Sequence, residues 1–314
     1  VAMTASFASR APRSVLSSAL HRGVCSSSAA DRLASKLGRP ASALQTEPRL
    51  DFLRAKGLTA NEMATVAQLL QSNTSLSLLD VTGNQLGGEA VEHLVSILDC
   101  SRTLRTLAVG NNNLRAGAAQ LAMAAAASGS LTSLLMPANA IAGGACKEIA
   151  RALAAESQLA ELDLSHNAFG PIGGAAIAKG LAANTNLTEL RLASCSIRAS
   201  GGQRIAEALR AGSALRSLDL HECYIGADGL AAIADALHGN STLEVLRLSD
   251  NNLAEKSGLG SHELSAEDGI AALVRLLAHN QTLRLIDLRH NGFDAAQQDE
   301  LRALEREGLE IVLI

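Results

Sequence analysis

The stretch Leu159–Phe169, LAELDLSHNAF, decides the fold, because the chain writes the same frame eight times. The frame is L-x-x-L-x-[LVM]-x-x-[NC]-x-[LIF], with Ile286 once standing for leucine. It begins at Leu76, Leu104, Leu131, Leu159, Leu187, Leu215, Leu243 and Leu283, at spacings of 28, 27, 28, 28, 28, 28 and 40 residues. Self-similarity at a period of roughly 20 to 50 residues marks a solenoid, whose units pack only on their neighbours. That arrangement lets a chain of 314 residues escape the size limit of a single compact core.

Each unit has two halves. The first, as in LRSLDLHECYI (Leu215–Ile225), alternates apolar and other residues and predicts a strand with one buried face. The second, as in ADGLAAIADALHGN (Ala227–Asn240), repeats apolar residues at Leu230, Ile233 and Leu237, one face of a helix. The same spacing returns at Val91, Leu94 and Leu98, at Cys146, Ile149 and Leu153, and at Ile270, Leu273 and Leu277. A glycine near the start of this half and an asparagine or serine after it predict the turns. Strand and helix repeated without reversal give parallel strands with every crossover helix on one side. Strands spaced about 4.8 Å apart must curve when helices about 10 Å across line the other side. The expected architecture is an α/β horseshoe, strands on the concave face and helices on the convex face, with about nine repeats.

The frame at 28 residues per unit resembles the ribonuclease-inhibitor-like class of leucine-rich repeats, which includes NOD-like receptor sensor domains and the Ran GTPase-activating protein. The likeness covers roughly residues 50–314. It implies a non-enzymatic protein-interaction module, with a small-GTPase regulator as the alternative and actin-end capping, as in tropomodulin-like repeats, as a third. The repeat domain is expected over 46–314, with a degenerate first unit at about 48–75 (LDFLRAKGL, Leu50–Leu58) and a capping strand over 309–314.

Composition narrows the partners. A formal net charge of −4 and only 2% aromatic residues argue against nucleic acid, which needs a basic footprint or stacking platforms. No apolar run is long enough to span a membrane. Five scattered cysteines without a C-x-x-C pair suit a reducing compartment. Cys195 and Cys223 occupy position 9 of the frame, where other units carry asparagine. One strand spacing apart, they bring a zinc site with His221 into view, but an inward-facing position favours a structural role. No G-x-x-x-x-G-K-[ST] loop is present. Asp163, Ser165 and His166 crowd one strand, whose neighbours alternate faces and cannot converge as a triad. His238 and His279 end their helices, where a cation complements the dipole. Neither a cofactor nor a metal is expected.

The concave face carries the candidate site. Strand positions 3, 5, 7 and 8 face away from the leucine core. Position 5 reads Asp80, Ala108, Leu135, Asp163, Arg191, Asp219, Arg247 and Asp287, so its last five members alternate in sign across adjacent strands. Flanking them are Glu161, Glu189, His221, Glu222, Asp250 and Arg289. Ladder and flanks hold seven acids and three arginines, a surface expected to accept a basic segment of a partner protein. Alternation also has a plain structural explanation, since it avoids like charges side by side. Leu78, Leu135 and Pro137 make the N-terminal strands blander.

Two segments break the pattern. The extra 12 residues between Leu243 and Leu283 lie within Ala254–Gly269. They predict a rim loop whose Leu259, His262 and Leu264 cover a ligand on Arg247, Asp250 and Arg289; a tolerated insertion is the alternative. Residues 1–45 open with Arg10, Arg13, Arg22, eight serines in the first 30 residues and no acid before Asp31. That composition predicts either a mitochondrial or plastid transit peptide over residues 3–30 or a disordered tail, the latter leaving a cytoplasmic protein.

Overall fold

The computed structural model describes residues 27–254 and 266–314. Helices and strands alternate in the order α1 (Ser27–Leu37), α2 (Ser42–Thr46), β1 (Arg49–Leu50), α3 (Ala60–Leu70), β2 (Leu78–Asp80), α4 (Val91–Cys100), β3 (Thr106–Ala108), α5 (Gly117–Ala127) and β4 (Ser133–Leu135). They continue as α6 (Gly143–Ala154), β5 (Glu161–Asp163), α7 (Gly170–Ala183), β6 (Glu189–Arg191), α8 (Arg198–Arg210), β7 (Ser217–Asp219), α9 (Gly226–Leu237) and β8 (Val245–Arg247). The last elements are α10 (Ala266–His279), β9 (Leu285–Asp287), α11 (Ala295–Arg302) and β10 (Glu310–Val312). The ten strands form one sheet in sequence order, all parallel. The horseshoe of strands inside and helices outside is therefore the architecture the repeat implies.

Frame positions 1, 4, 6 and 11 supply the core. In the fifth full unit Leu187, Leu190, Leu192 and Ile197 are all sealed from solvent. Register follows the frame: Leu162 pairs with Leu190 and Leu190 with Leu218, so each rung stacks like on like.

Position 9 holds the turns together. Asn167 Oδ1 accepts the backbone N–H of Asn139 and of Ile141, both at 3.0 Å. Its Nδ2 donates to the carbonyls of Met136, Leu164 and Ser165. Asn84, Asn112, Asn139, Asn251 and Asn291 repeat that reach into the preceding unit, and all are buried. Cys195 and Cys223 fill the slot with thiols that donate to Leu164 and Leu192 carbonyls and take weak backbone N–H contacts in return. Every residue at position 8 has positive φ, near +55° from Asn111 and Ala138 to Glu222 and Asp250 and 76° at Gly83. Most at position 10, Tyr224 among them, do too. These left-handed residues turn the side chain between them inward. Because the conformation recurs in every unit, it is a property of the repeat and marks no special site.

A second set of polar residues closes the opposite rim, where each helix returns to a strand. Asn184 Oδ1 accepts the N–H of Asn186 and Leu187 while its Nδ2 donates to Leu153 O. Asn73 and Asn280 likewise accept from the next residues and donate into the preceding unit, while Asn240, Ser101 and Ser128 supply the accepting half.

The two ends are capped differently. The fold begins ahead of the boundary drawn at residue 46: α1 and α2 bury Leu33, Leu37 and Leu44 in the common core. Lys36 Nζ ties α1 to the Gly57 carbonyl and to Glu62, and Arg39 stacks on Phe52 and pairs with Glu47. Residues 27–45 thus cover the open face of α3 instead of trailing from it. The expected leader lies almost wholly on residues 1–26, outside the described residues. At the other end Arg306 donates to the Leu277 and Asn280 carbonyls, satisfying the end of α10 that a further repeat would otherwise cover.

Convex packing depends on small residues. A Cβ on Gly180 would lie 2.5 Å from the Ala150 carbonyl oxygen and 2.9 Å from Ala150 Cα, so α7 and α6 touch backbone to backbone there. Gly144, also helical, faces open space. Gly144→Ala should therefore stabilise by about 0.5–1 kcal/mol through helix propensity. Gly180→Ala should destabilise by about 1–3 kcal/mol despite the same propensity gain. Urea melts of the two variants check the pair, and equal shifts would mean that α6 and α7 do not approach this closely.

Candidate functional site

The sheet register brings the expected charges into line. Asp163 pairs with Arg191, Arg191 with Asp219, Asp219 with Arg247, and Arg247 with Asp287. The side chains then depart from a simple ladder. Arg191 bonds diagonally to the position 3 acids, Nη1 to Glu161 Oε1 at 2.7 Å and Nη2 to Glu189 Oε1 at 2.5 Å. These glutamates are neighbours across β5 and β6, so Arg191 neutralises a like-charge pair. Burial alone would lower its pKa, but the carboxylates of Glu189, Glu161 and Asp163 raise it on balance.

The aspartates serve the backbone. Asp80, Asp163 and Asp219 each accept the N–H of the residue two positions on, all at 2.9 Å, and Asp287 does so at 3.2 Å. That is the usual local turn of a short carboxylate side chain. A signal for it was present: every acid at position 5 is aspartate, whereas those at position 3 are glutamate. Asp287 is the exception to a half-exposed ladder. It is buried, held by Arg289 Nε at 2.9 Å and Nη2 at 2.7 Å. Arg247 stands between Asp219 and Asp287, and its charge acts on Asp287.

On the rim, Glu222 accepts from Ser194 Oγ at 2.6 Å. His221 Nδ1 lies 2.9 Å from Ser249 Oγ and 3.3 Å from Asp250 Oδ2. A nucleophilic relay needs its hydroxyl and carboxylate on opposite ring nitrogens; both partners here share one. Ser133 likewise donates to Glu161 at 2.6 Å. These serines orient the acids, and the frame alone gave no reason to single them out. Asp163 spends one oxygen on the Ser165 backbone while His166 is exposed, so those two side chains assemble no triad. His238 and His279, expected as separate solvated caps, meet with ring centroids 5.4 Å apart.

The N-terminal half of the concave face carries less charge, with Asp80 its position 5 acid. Leu78, Ala108 and Leu135 line it at half or less exposure, and Pro137 packs where a Cβ on Gly110 would lie 3.0 Å from its Cγ. Leu259, His262 and Leu264 lie outside the described residues. The segment that carries them departs after Ala254, whose N–H bonds to Asn291 O, and returns at α10.

The buried cysteines are inert. Desolvation pushes the Cys223 and Cys146 thiols up to about 12 and Cys195 higher still, so none supplies a thiolate near neutral pH. Among the described residues no group of three or more histidines, cysteines or acids is placed to hold a metal ion. Nor is any described helix long and apolar enough to cross a membrane.

A family profile described as leucine-rich repeat matches residues 72–95, 159–178, 183–206, 214–234, 239–257 and 279–296. The leucine-rich repeat-containing protein LegL7 from Legionella pneumophila superposes with a TM-score of 0.52 at 20% identity, over 79% of this chain and 78% of that one. The tropomodulin C-terminal domain of Caenorhabditis elegans aligns at 0.33 and 11% identity, over 57% of this chain and 92% of that one. Leiomodin-1 actin-binding site 2 aligns at 0.29 and 17%, over 54% and 79%. No curated protein matches the chain. Repeat, register and fold define a leucine-rich-repeat protein. Its strand–helix units of about 28 residues resemble those of the ribonuclease-inhibitor-like class.

Asp287 provides a pH handle. Burial pushes its carboxyl up, but the hydrogen bonds and charge of Arg289 outweigh burial and leave it below the ordinary carboxylate value. A depressed folded-state pKa contributes stability above the unfolded pKa of about 4, and that contribution is lost as pH falls through the folded value. Asp287→Asn should flatten the acid limb of a stability–pH curve below about pH 4 while losing stability at pH 7. Melts across that range check it; a parallel downward shift at every pH would assign Asp287 no electrostatic role.

Proposed function

We propose that the chain is a non-enzymatic interaction module whose concave face takes up a basic segment of a partner protein. Leucine-rich-repeat proteins generally serve as protein-interaction scaffolds, and the charge left over on this face gives the partner its character. Arg191 is consumed by two glutamates and Arg289 by Asp287. Asp163, Asp219, Glu222 and Asp250 retain carboxylates that no lysine or arginine engages in an ion pair among the described residues. They lie on β5, on β7 and on the rim after β7 and β8, within a span of about 15 Å at strand spacing. An extended cationic segment crossing the sheet meets them in turn.

Fluorescence anisotropy with a nona-arginine peptide tests the reading. Binding should weaken steeply between about 50 and 500 mM salt, since exposed charge interactions are screened over that range. The combined variant Asp219→Asn, Glu222→Gln and Asp250→Asn should lose at least tenfold in affinity. Glu148→Gln with Glu207→Gln, on the convex helices, should lose little. Equal binding by the concave and convex variants would move the site off the inner face.

The arginine- and serine-rich composition of residues 3–30 supports organelle import. Fused to a fluorescent protein, the segment should reach mitochondria or plastids, and a diffuse cytosolic signal would reject this role.

A further inference from the structure

We propose that His238 and His279 form a surface site for one late first-row divalent transition ion, of the Zn²⁺, Ni²⁺ or Cu²⁺ class. The site lies where α9 and α10 return to their strands, on the rim opposite Glu222 and Asp250. It stands independently of the acidic-face reading.

The geometry fits a shared ion. Both imidazoles are exposed, and their ring centroids lie 5.4 Å apart with the planes tilted by 51°. Two imidazoles on one tetrahedral ion, each nitrogen about 2.0–2.1 Å from it, hold their ring centres about 5 Å apart. The observed pair needs only a small rotation of exposed rings to reach that spacing, and the core is untouched by it. His279 is also prepared as a ligand. Its Nδ1 lies 2.8 Å from the Arg275 carbonyl oxygen. A carbonyl can only accept, so Nδ1 carries the proton and, in the neutral ring, Nε2 keeps its lone pair. Donation of the second ring nitrogen to a carbonyl is the usual way in which a metal-binding histidine has its tautomer and orientation fixed.

The backbones that carry the two rings are stitched together. Asn280, next to His279, donates through Nδ2 to the Leu237 carbonyl at 2.8 Å and to the Asn240 carbonyl at 3.1 Å, on either side of His238. Arg306 in turn donates to the carbonyls of Leu277 and Asn280, on either side of His279. Ligands on backbones already fixed lose little freedom when an ion joins them. The electrostatics agree. Two helices end here, and the negative ends of their dipoles favour a cation. Asp235, three residues before His238, offsets Arg275, four before His279. Imidazole nitrogen suits zinc, nickel and copper, whereas magnesium and calcium seek oxygen. Water completes the coordination, so the ion is an exchangeable clip between α9 and α10.

Calorimetric titration of Ni²⁺ into the full chain, made without a histidine tag, tests the site. The chain should take up Ni²⁺, and a hundredfold excess of Mg²⁺ should not displace it. His238→Gln and His279→Gln should each weaken the tightest equivalent at least tenfold. His93→Gln with His166→Asn, which leaves the pair intact, should stay within about twofold of the unaltered chain. Ni²⁺ should also raise the melting midpoint of the unaltered chain, because the ion binds the pair only when folded. That rise should vanish in either single variant, and circular dichroism without metal checks that both fold, as exposed substitutions should. No uptake by the unaltered chain overturns the proposal. So does equal binding by both single variants, which would place Ni²⁺ elsewhere. Weakening by only one of them also overturns it, since the ion would then sit on a single imidazole and the two rings would merely touch.

Discussion

The buried amide at position 9 is the interaction on which the rest of the molecule depends. Where each strand ends, the chain turns through left-handed residues toward its helix, and several backbone groups there lie inside the core without a sheet partner. One asparagine side chain satisfies several at once, as Asn167 does for two N–H groups of the unit before and three carbonyls. Each such group left unpaired in the interior costs about 1–3 kcal/mol. The slot therefore selects a side chain that both donates and accepts. Cysteine meets it halfway: Cys195 and Cys223 donate to the carbonyls and accept only weakly, a change confined to two adjacent units in the middle of the array.

This bonding reaches from each unit into the one before, and so fixes the register that builds the candidate site. Locked at one residue per rung, every position 5 side chain meets its counterpart on the next strand. Charges 28 residues apart become neighbours about 5 Å apart. The fold then uses some of those charges for itself. Aspartates fasten the turn that follows their strand, and Arg191 quenches the Glu161–Glu189 pair. What remains for a partner is the difference between the charges written in the frame and those consumed locally, and that difference is acidic.

The convex side imposes a milder constraint. Glycine and alanine along α6 to α9 let neighbouring helices approach until backbone meets backbone, as Gly180 does on Ala150. Curvature arises from the mismatch between wide helices and narrow strands, so slimmer helices relax it.

By itself the sequence determined the repeat, its strand and helix faces, the inward asparagines and which charges share a rung, because all of these follow from periodicity. A period of two or of 3.6 residues settles which side of an element is apolar, and a 28-residue period settles what stacks on what. Only the tertiary structure decided the features that lack a period. The helices of residues 27–46 carry too few apolar residues to announce themselves, and Leu33, Leu37 and Leu44 acquire meaning only against the open end of α3. Arg191 prefers the diagonal glutamates to its own rung because a long guanidinium reaches past short aspartates already bound to backbone. Asp287 is buried where its rung-mates are half exposed, since β10 and Arg289 close over it at the end of the array. His238 and His279 meet across 41 residues because an insertion in the chain is no separation in the solenoid: α9 and α10 remain adjacent whatever length lies between them.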